Sequence, residues 1–134
     1  MSTPTPPTVV GCDVVAVARM RTLLGGRPGA RERLFTAREL DDVRRGGVPL
    51  DGEVATERLA ARFAAKEATR KALGGRGPAL TAVEVRTDPD GAPSLWVDGR
   101  ALPLACSLSH DAGVAMAVVV GDRRDVDRAL ADHG

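Results

Sequence analysis

Residues 8–15, TVVGCDVV, form a β-branched run whose alternation puts Val9, Gly11, Asp13 and Val15 on one face, which predicts a strand. Residues 16–24 predict a helix that stops at Gly25-Gly26. After a Gly/Pro/Arg loop, residues 31–45 predict another helix, with Thr36-x-x-Glu39 as an internal start signal, and residues 46–52 break it. The clearest helical pattern is Glu53–Leu73, where Leu59, Phe63 and Leu73 lie near one stripe beside Ala60 and Ala64, before Gly74-Gly75. Residues 80–87 and 94–97 then predict a hairpin around the turn residues Asp88-Pro-Asp-Gly91. Residues 104–109 and 114–120 predict a second strand pair around His110-Asp-Ala-Gly113. Residues 122–133 form an amphipathic tail with Val126 and Leu130 at i,i+4. A strand, then helices, then antiparallel hairpins predicts an α+β fold.

At 134 residues the chain has the length of one domain. The pattern divides it into a flexible tail (1–8), a folded domain (9–121) and a helical extension (122–134). The Ser/Thr/Pro start does not read as a signal peptide, and no apolar stretch is long enough to span a membrane. The net charge of +1 argues against bulk binding to nucleic acid or a membrane surface. A cytoplasmic protein is expected. Seventeen of the 19 basic residues are Arg, and Ile, Asn, Gln and Tyr are absent, which points to GC-rich coding bias. Against that bias the two lysines, Lys66 and Lys71, are informative, and both fall in the long helical segment. Cys12 and Cys106 have no metal-type spacing and are expected to be reduced and buried.

Three places could carry chemistry. Asp13 interrupts an apolar strand, where a carboxylate needs a positive partner unless it caps the helix starting near Val14. Phe63, Glu67 and Lys71 follow at i, i+4, i+8 and share a helix face. A carboxylate and an ammonium one turn apart can hold a hard cation and a phosphate side by side, or simply pair with each other. Ser107-Leu-Ser109-His110 lies at a strand end, but neighbours on an extended chain point apart, so a turn-forming or anion-binding role suits it better than a Ser/His nucleophile pair. The Thr36/Glu39 signal is a capping box, and Arg19, Met20 and Arg21 make a small basic-apolar patch.

Together these features resemble the holo-acyl-carrier-protein synthase group of 4′-phosphopantetheinyl transferases. The matching pieces are Gly11-Cys-Asp13-Val-Val with Arg19 after it, Leu34-Phe-Thr-Ala-Arg-Glu39, Arg62-Phe-Ala-Ala-Lys-Glu-Ala-Thr-Arg-Lys-Ala-Leu-Gly74, Gly91-x-Pro93 and Ser107-Leu-Ser-His110. The resemblance implies a phosphopantetheinyl transferase-like fold and transfer of 4′-phosphopantetheine from coenzyme A to a carrier-protein serine, with adenosine 3′,5′-bisphosphate released. It implies Asp13 and Glu67 as ligands of a Mg²⁺ that also binds the pyrophosphate, and Lys71 against the phosphates. The serine proton would go to Glu67 or to a metal-bound water. Arg62, Ser109 and His110 resemble residues of the nucleotide end. Gly91 and Pro93 resemble a loop over the coenzyme of a neighbouring subunit in a homotrimer. Arg19, with Met20 beside it, resembles the contact with an acidic apo carrier protein of fatty acid or polyketide synthesis. An inactive coenzyme A- or carrier-binding module of the same fold is the alternative. The segment before the Ser-x-Ser-His strand is shorter than the resemblance leads one to expect, and the tail helix is expected to cover the apolar surface of the last hairpin.

Overall fold

The computed structural model describes residues 3–132; His133, expected in the tail helix, lies outside them. The elements are β1 (Thr8–Ala16), α1 (Val17–Gly26), α2 (Ala30–Leu34), α3 (Ala37–Asp42), α4 (Glu53–Leu73), β2 (Val83–Thr87), β3 (Pro93–Val97), β4 (Arg100–Ala101), β5 (Ala105–Asp111), β6 (Val114–Asp122) and α5 (Arg123–Asp132). Two antiparallel sheets result, one in the order β1-β6-β5 and a smaller one in the order β2-β3-β4. This is the α+β architecture expected, with the long helix α4 as its central beam.

The larger sheet lays its inner face on α4. Val9, Val15, Ala115, Ala117 and Val119 are buried there against Ala60, Ala64, Ala68 and neighbours. The alanines are the reason for the close fit, and Gly11 marks its tightest point. A Cβ at Gly11 would stand 1.9 Å from the Ala68 carbonyl oxygen and 2.9 Å from the Ala72 nitrogen. The β5–β6 connection is a tight turn with Ala112 at φ 50° and Gly113 at φ 80°, the double positive-φ geometry that suits a two-residue hairpin loop.

Several boundaries differ from the sequence reading. The predicted helix over 31–45 is two short helices, because Phe35 and Thr36 are extended and Thr36 caps α3. The strand predicted from residue 80 opens with a single 3-10 turn, Leu80–Ala82. The tail is tied down before Thr8: Arg123 donates from Nε to the Pro6 carbonyl and from its backbone nitrogen to that of Pro7. Cys12 is exposed rather than buried. Helix α5 does not cover the hairpin face. It packs on the end of α4 and the short link after β4, where Leu73, Leu102, Leu104, Val126 and Leu130 meet around a small apolar gap. The outer face of the larger sheet stays open, with Val10, Val14, Val114, Met116 and Val120 all exposed.

Candidate active site

Asp13 belongs to β1, and the residue at the N-cap of α1 is Ala16, with no side-chain cap, so capping does not account for Asp13. The Gly11 contact presses β1 onto α4, and Asp13, two residues on and on the same face, meets Lys71. The Lys71 ammonium donates to Asp13 Oδ1 at 3.0 Å and to the Cys12 carbonyl at 3.0 Å. The Asp13 side chain is 19% exposed and that of Lys71 56%. Glu67 stands one turn before Lys71 and is only loosely paired, 4.0 Å from Arg70. Lys71 therefore spends its charge across the strand–helix junction on Asp13, and no Glu67–Lys71 ion pair forms. Two carboxylates and an ammonium line one junction of β1 and α4, within reach of solvent.

The donor set suits a hard cation. Asp13 and Glu67 offer oxygens, and among the described residues no group of three or more His, Cys, Asp or Glu side chains gathers into a cluster that could enclose a metal ion. Two protein carboxylates leave coordination positions for phosphate oxygens and water, the arrangement Mg²⁺ favours.

His110 lies on the helix-facing side of β5, with Nδ1 3.6 Å from Glu57 Oε2 on α4. Ser109 pairs with Met116 in the ladder and shares its outward face, so Ser109 and His110 do not converge on one site within this chain. Gly91, at φ 88°, sits in the β2–β3 turn, and Pro93 opens β3. The Asp88 carboxylate closes that turn by accepting from the backbone nitrogens of Asp90 and Ala92, both at 2.9 Å.

One of the expected site residues needs correction. Met20 is 0% exposed, a core residue that no partner can touch; the exposed apolar side chain on α1 is Leu23, one turn beyond Arg19. Arg62, expected at the nucleotide end, is 7% exposed in this chain and donates to Thr87 Oγ1 at 2.9 Å and to the Arg58 carbonyl. Burial pushes its guanidinium below the usual value, with Asp42 and Glu39 offsetting part of the effect. It is a tie between α4 and the end of β2.

Sequence reasoning misses one pairing. The local pattern shows Glu39 only as half of a capping box, which does form: Thr36 Oγ1 accepts from Glu39 N and Glu39 Oε1 from Thr36 N. The same carboxylate also meets Lys66 in the core. The rarity of lysine is the available signal.

The chain belongs to the 4′-phosphopantetheinyl transferase superfamily, whose family model matches residues 9–119. Among its relatives, a holo-[acyl-carrier-protein] synthase of Salinispora arenicola is 44% identical over 124 residues, covering 85% of this chain and 97% of that protein. The corresponding synthase of Streptomyces avermitilis is 46% identical over 126 residues, covering 84% and 95%. The Helicobacter pylori holo-[acyl-carrier-protein] synthase in complex with coenzyme A has a similar fold, with TM-score 0.66 at 26% identity over 82% of this chain and 96% of that one. The Chronobacterium ammoniagenes ACPS-CoA complex gives TM-score 0.68 at 28% identity, covering 86% and 96%.

Proposed function

We infer that this chain is a holo-[acyl-carrier-protein] synthase. It transfers the 4′-phosphopantetheine group of coenzyme A to a serine of an apo acyl carrier protein. The serine oxygen attacks the phosphorus that bears pantetheine, the bond from that phosphorus to the bridging oxygen breaks, and adenosine 3′,5′-bisphosphate leaves. The observation that carries this reading is the Asp13–Lys71 contact, which joins the strand carboxylate to the Glu67 turn of α4.

Asp13 and Glu67 are the proposed holders of a Mg²⁺, which when bound neutralises pyrophosphate charge and lowers the cost of its growth in transfer. The Lys71 ammonium, long and half exposed, swings from Asp13 to a phosphate oxygen and stabilises the charge of the leaving group. Catalysis is then positioning and neutralisation, as phosphoryl chemistry requires. The serine proton passes to Glu67 or to water beside it. His110, which faces α4, is the proposed contact for an anionic end of the coenzyme.

We propose a homotrimer. The open outer face of β1-β6-β5 is apolar across both β1 and β6, an extent of exposed surface that monomers rarely keep. The Gly91–Pro93 turn belongs to the smaller sheet, while Asp13 and Glu67 belong to the junction of the larger one with α4, which suits a turn that reaches a neighbour's coenzyme. Arg19, exposed on α1 with Leu23 beside it, is the proposed contact for an acidic carrier protein of fatty acid or polyketide synthesis. Free thiols at Cys12 and Cys106 support a reducing, cytoplasmic setting. Calorimetry of coenzyme A binding with and without Mg²⁺, on wild type and Asp13→Ala, tests the site: metal-dependent heat lost in the variant supports it, and equal heats refute it.

A further inference from the structure

Helix α4 presents two polar faces. One carries Glu67 and Lys71 toward β1. The other carries Arg62 and Lys66, one turn apart, toward the smaller sheet. Lys66 and Glu39 are both 0% exposed. The Lys66 ammonium donates to Glu39 Oε1 at 2.8 Å and to the Val83 carbonyl, and it lies 5.6 Å from the centre of the Phe35 ring. Glu39 Oε2 accepts from the Val85 nitrogen at 2.9 Å.

The geometry is that of a strand partner. Among the described residues β2 is an edge strand, paired with β3 alone. The Val83 carbonyl and the Val85 N–H point to the free edge, where a further strand would supply one donor and one acceptor. Lys66 supplies the donor and Glu39 the acceptor. Arg62 adds a third tie at Thr87, the last residue of β2. Every second residue along this edge is therefore fixed to α4 or α3, and the turn bearing Gly91 follows directly.

A buried ion pair is poorly explained as a source of stability, because an apolar pair of similar volume is often as stable or more so. Directional bonds do fix register. We propose that Glu39 and Lys66 are positioning residues for transfer: they replace a strand partner at the β2 edge and so set the height of the β2–β3 turn on its own subunit, hence over the coenzyme. The proposal rests on the reading of Gly91 and Pro93 as coenzyme contacts.

The test uses the full chain with three variants: Glu39→Gln combined with Lys66→Met, which removes both charges together; Glu39→Asp, which keeps the charge and shortens the arm; and Pro93→Ala. Melting curves and steady-state transfer with coenzyme A and an apo acyl carrier protein are measured for each. The double variant is expected to stay folded at 25 °C, with KM for coenzyme A raised about tenfold and KM for the carrier unchanged. Glu39→Asp is expected to shift the coenzyme A KM in the same direction by less, and it decides the matter if the double variant unfolds. A folded double variant with wild-type KM and kcat overturns the proposal, as does an unshifted Glu39→Asp in the case where the double variant unfolds. If Pro93→Ala leaves the coenzyme A KM unmoved, the underlying reading of the turn fails, and the positioning role with it.

Discussion

The Lys71 ammonium lies 3.0 Å from Asp13 Oδ1, bridging residues 58 apart in sequence across the junction of β1 and α4. This contact makes Lys71 a competitor for the carboxylate that is proposed to hold a cation. Lys71→Ala should therefore bind Mg²⁺ several-fold more tightly without coenzyme A, while transfer falls by about 10²-fold or more from the lost charge on the phosphates. Titration calorimetry and a transfer assay on the same preparation check both halves. Weaker or unchanged metal binding together with normal turnover would remove Lys71 from the site.

Asp13→Ala and Glu67→Ala should each nearly abolish transfer, since neither carboxylate can replace the other on one cation. Their stability should change by no more than about 1 kcal/mol, because the Asp13–Lys71 pair is open to solvent on its lysine side. Urea unfolding beside the activity assay separates the two effects. A large loss of stability would make the carboxylates structural.

Gly11→Ala should do both kinds of damage. Its Cβ would meet backbone, the Ala68 oxygen and the Ala72 nitrogen, and not a movable side-chain end. Overpacking of this sort costs about 1–3 kcal/mol or more. β1 must lift from α4 and take Asp13 with it, so activity should fall even where the variant remains folded. A Gly11→Ala variant with wild-type midpoint and turnover would show that the close approach is not needed.

The two pieces of α1 separate cleanly. Arg19→Glu should raise KM for the carrier and leave KM for coenzyme A in place. Met20→Ala, which empties a core position, should cost about 2–5 kcal/mol and shift no Michaelis constant selectively at temperatures where it is folded. Steady-state kinetics with each substrate varied in turn distinguishes them.

The cysteines report on assembly and on pH. Cys12 lies on the outward face between Val10 and Val14, so alkylation at low protein concentration should be fast and should slow as the proposed trimer forms. Burial pushes the Cys106 thiol up to about 11, against an ordinary value of 9.0. The folded chain then holds a proton that the unfolded chain releases between those values. The contribution is fully present below pH 9 and is lost as pH rises toward 11. Cys106→Ala should flatten the alkaline part of the stability curve, followed by melting between pH 8 and 11. An unchanged slope would contradict the burial effect.

Spacing along the chain carries the faces of its elements more faithfully than the pairing of its charges. Alternation in β1 and the 3.6-residue period of α4 are properties of local spacing, so the shared face of Val9, Gly11, Asp13 and Val15 and the stripe of Glu67 and Lys71 can be read directly. Which charges pair is a property of tertiary approach. Spacing offers Glu67 with Lys71, but the glycine-tight packing of β1 gives Lys71 to Asp13 instead. Met20 misleads for a related reason: the side chain next to Arg19 in sequence turns about 100° away on a helix and here ends in the core. Glu39 is legible as a cap, yet its second oxygen serves a strand 46 residues later, which no local pattern announces.

The most direct measurement is the intact mass of an apo acyl carrier protein after incubation with this chain, coenzyme A and Mg²⁺, in parallel with Glu67→Ala. The wild-type chain is expected to add one phosphopantetheine group to the carrier serine, and Glu67→Ala to add none in the same time. No mass gain with the wild-type chain would contradict the activity, and equal gain with both proteins would contradict the site.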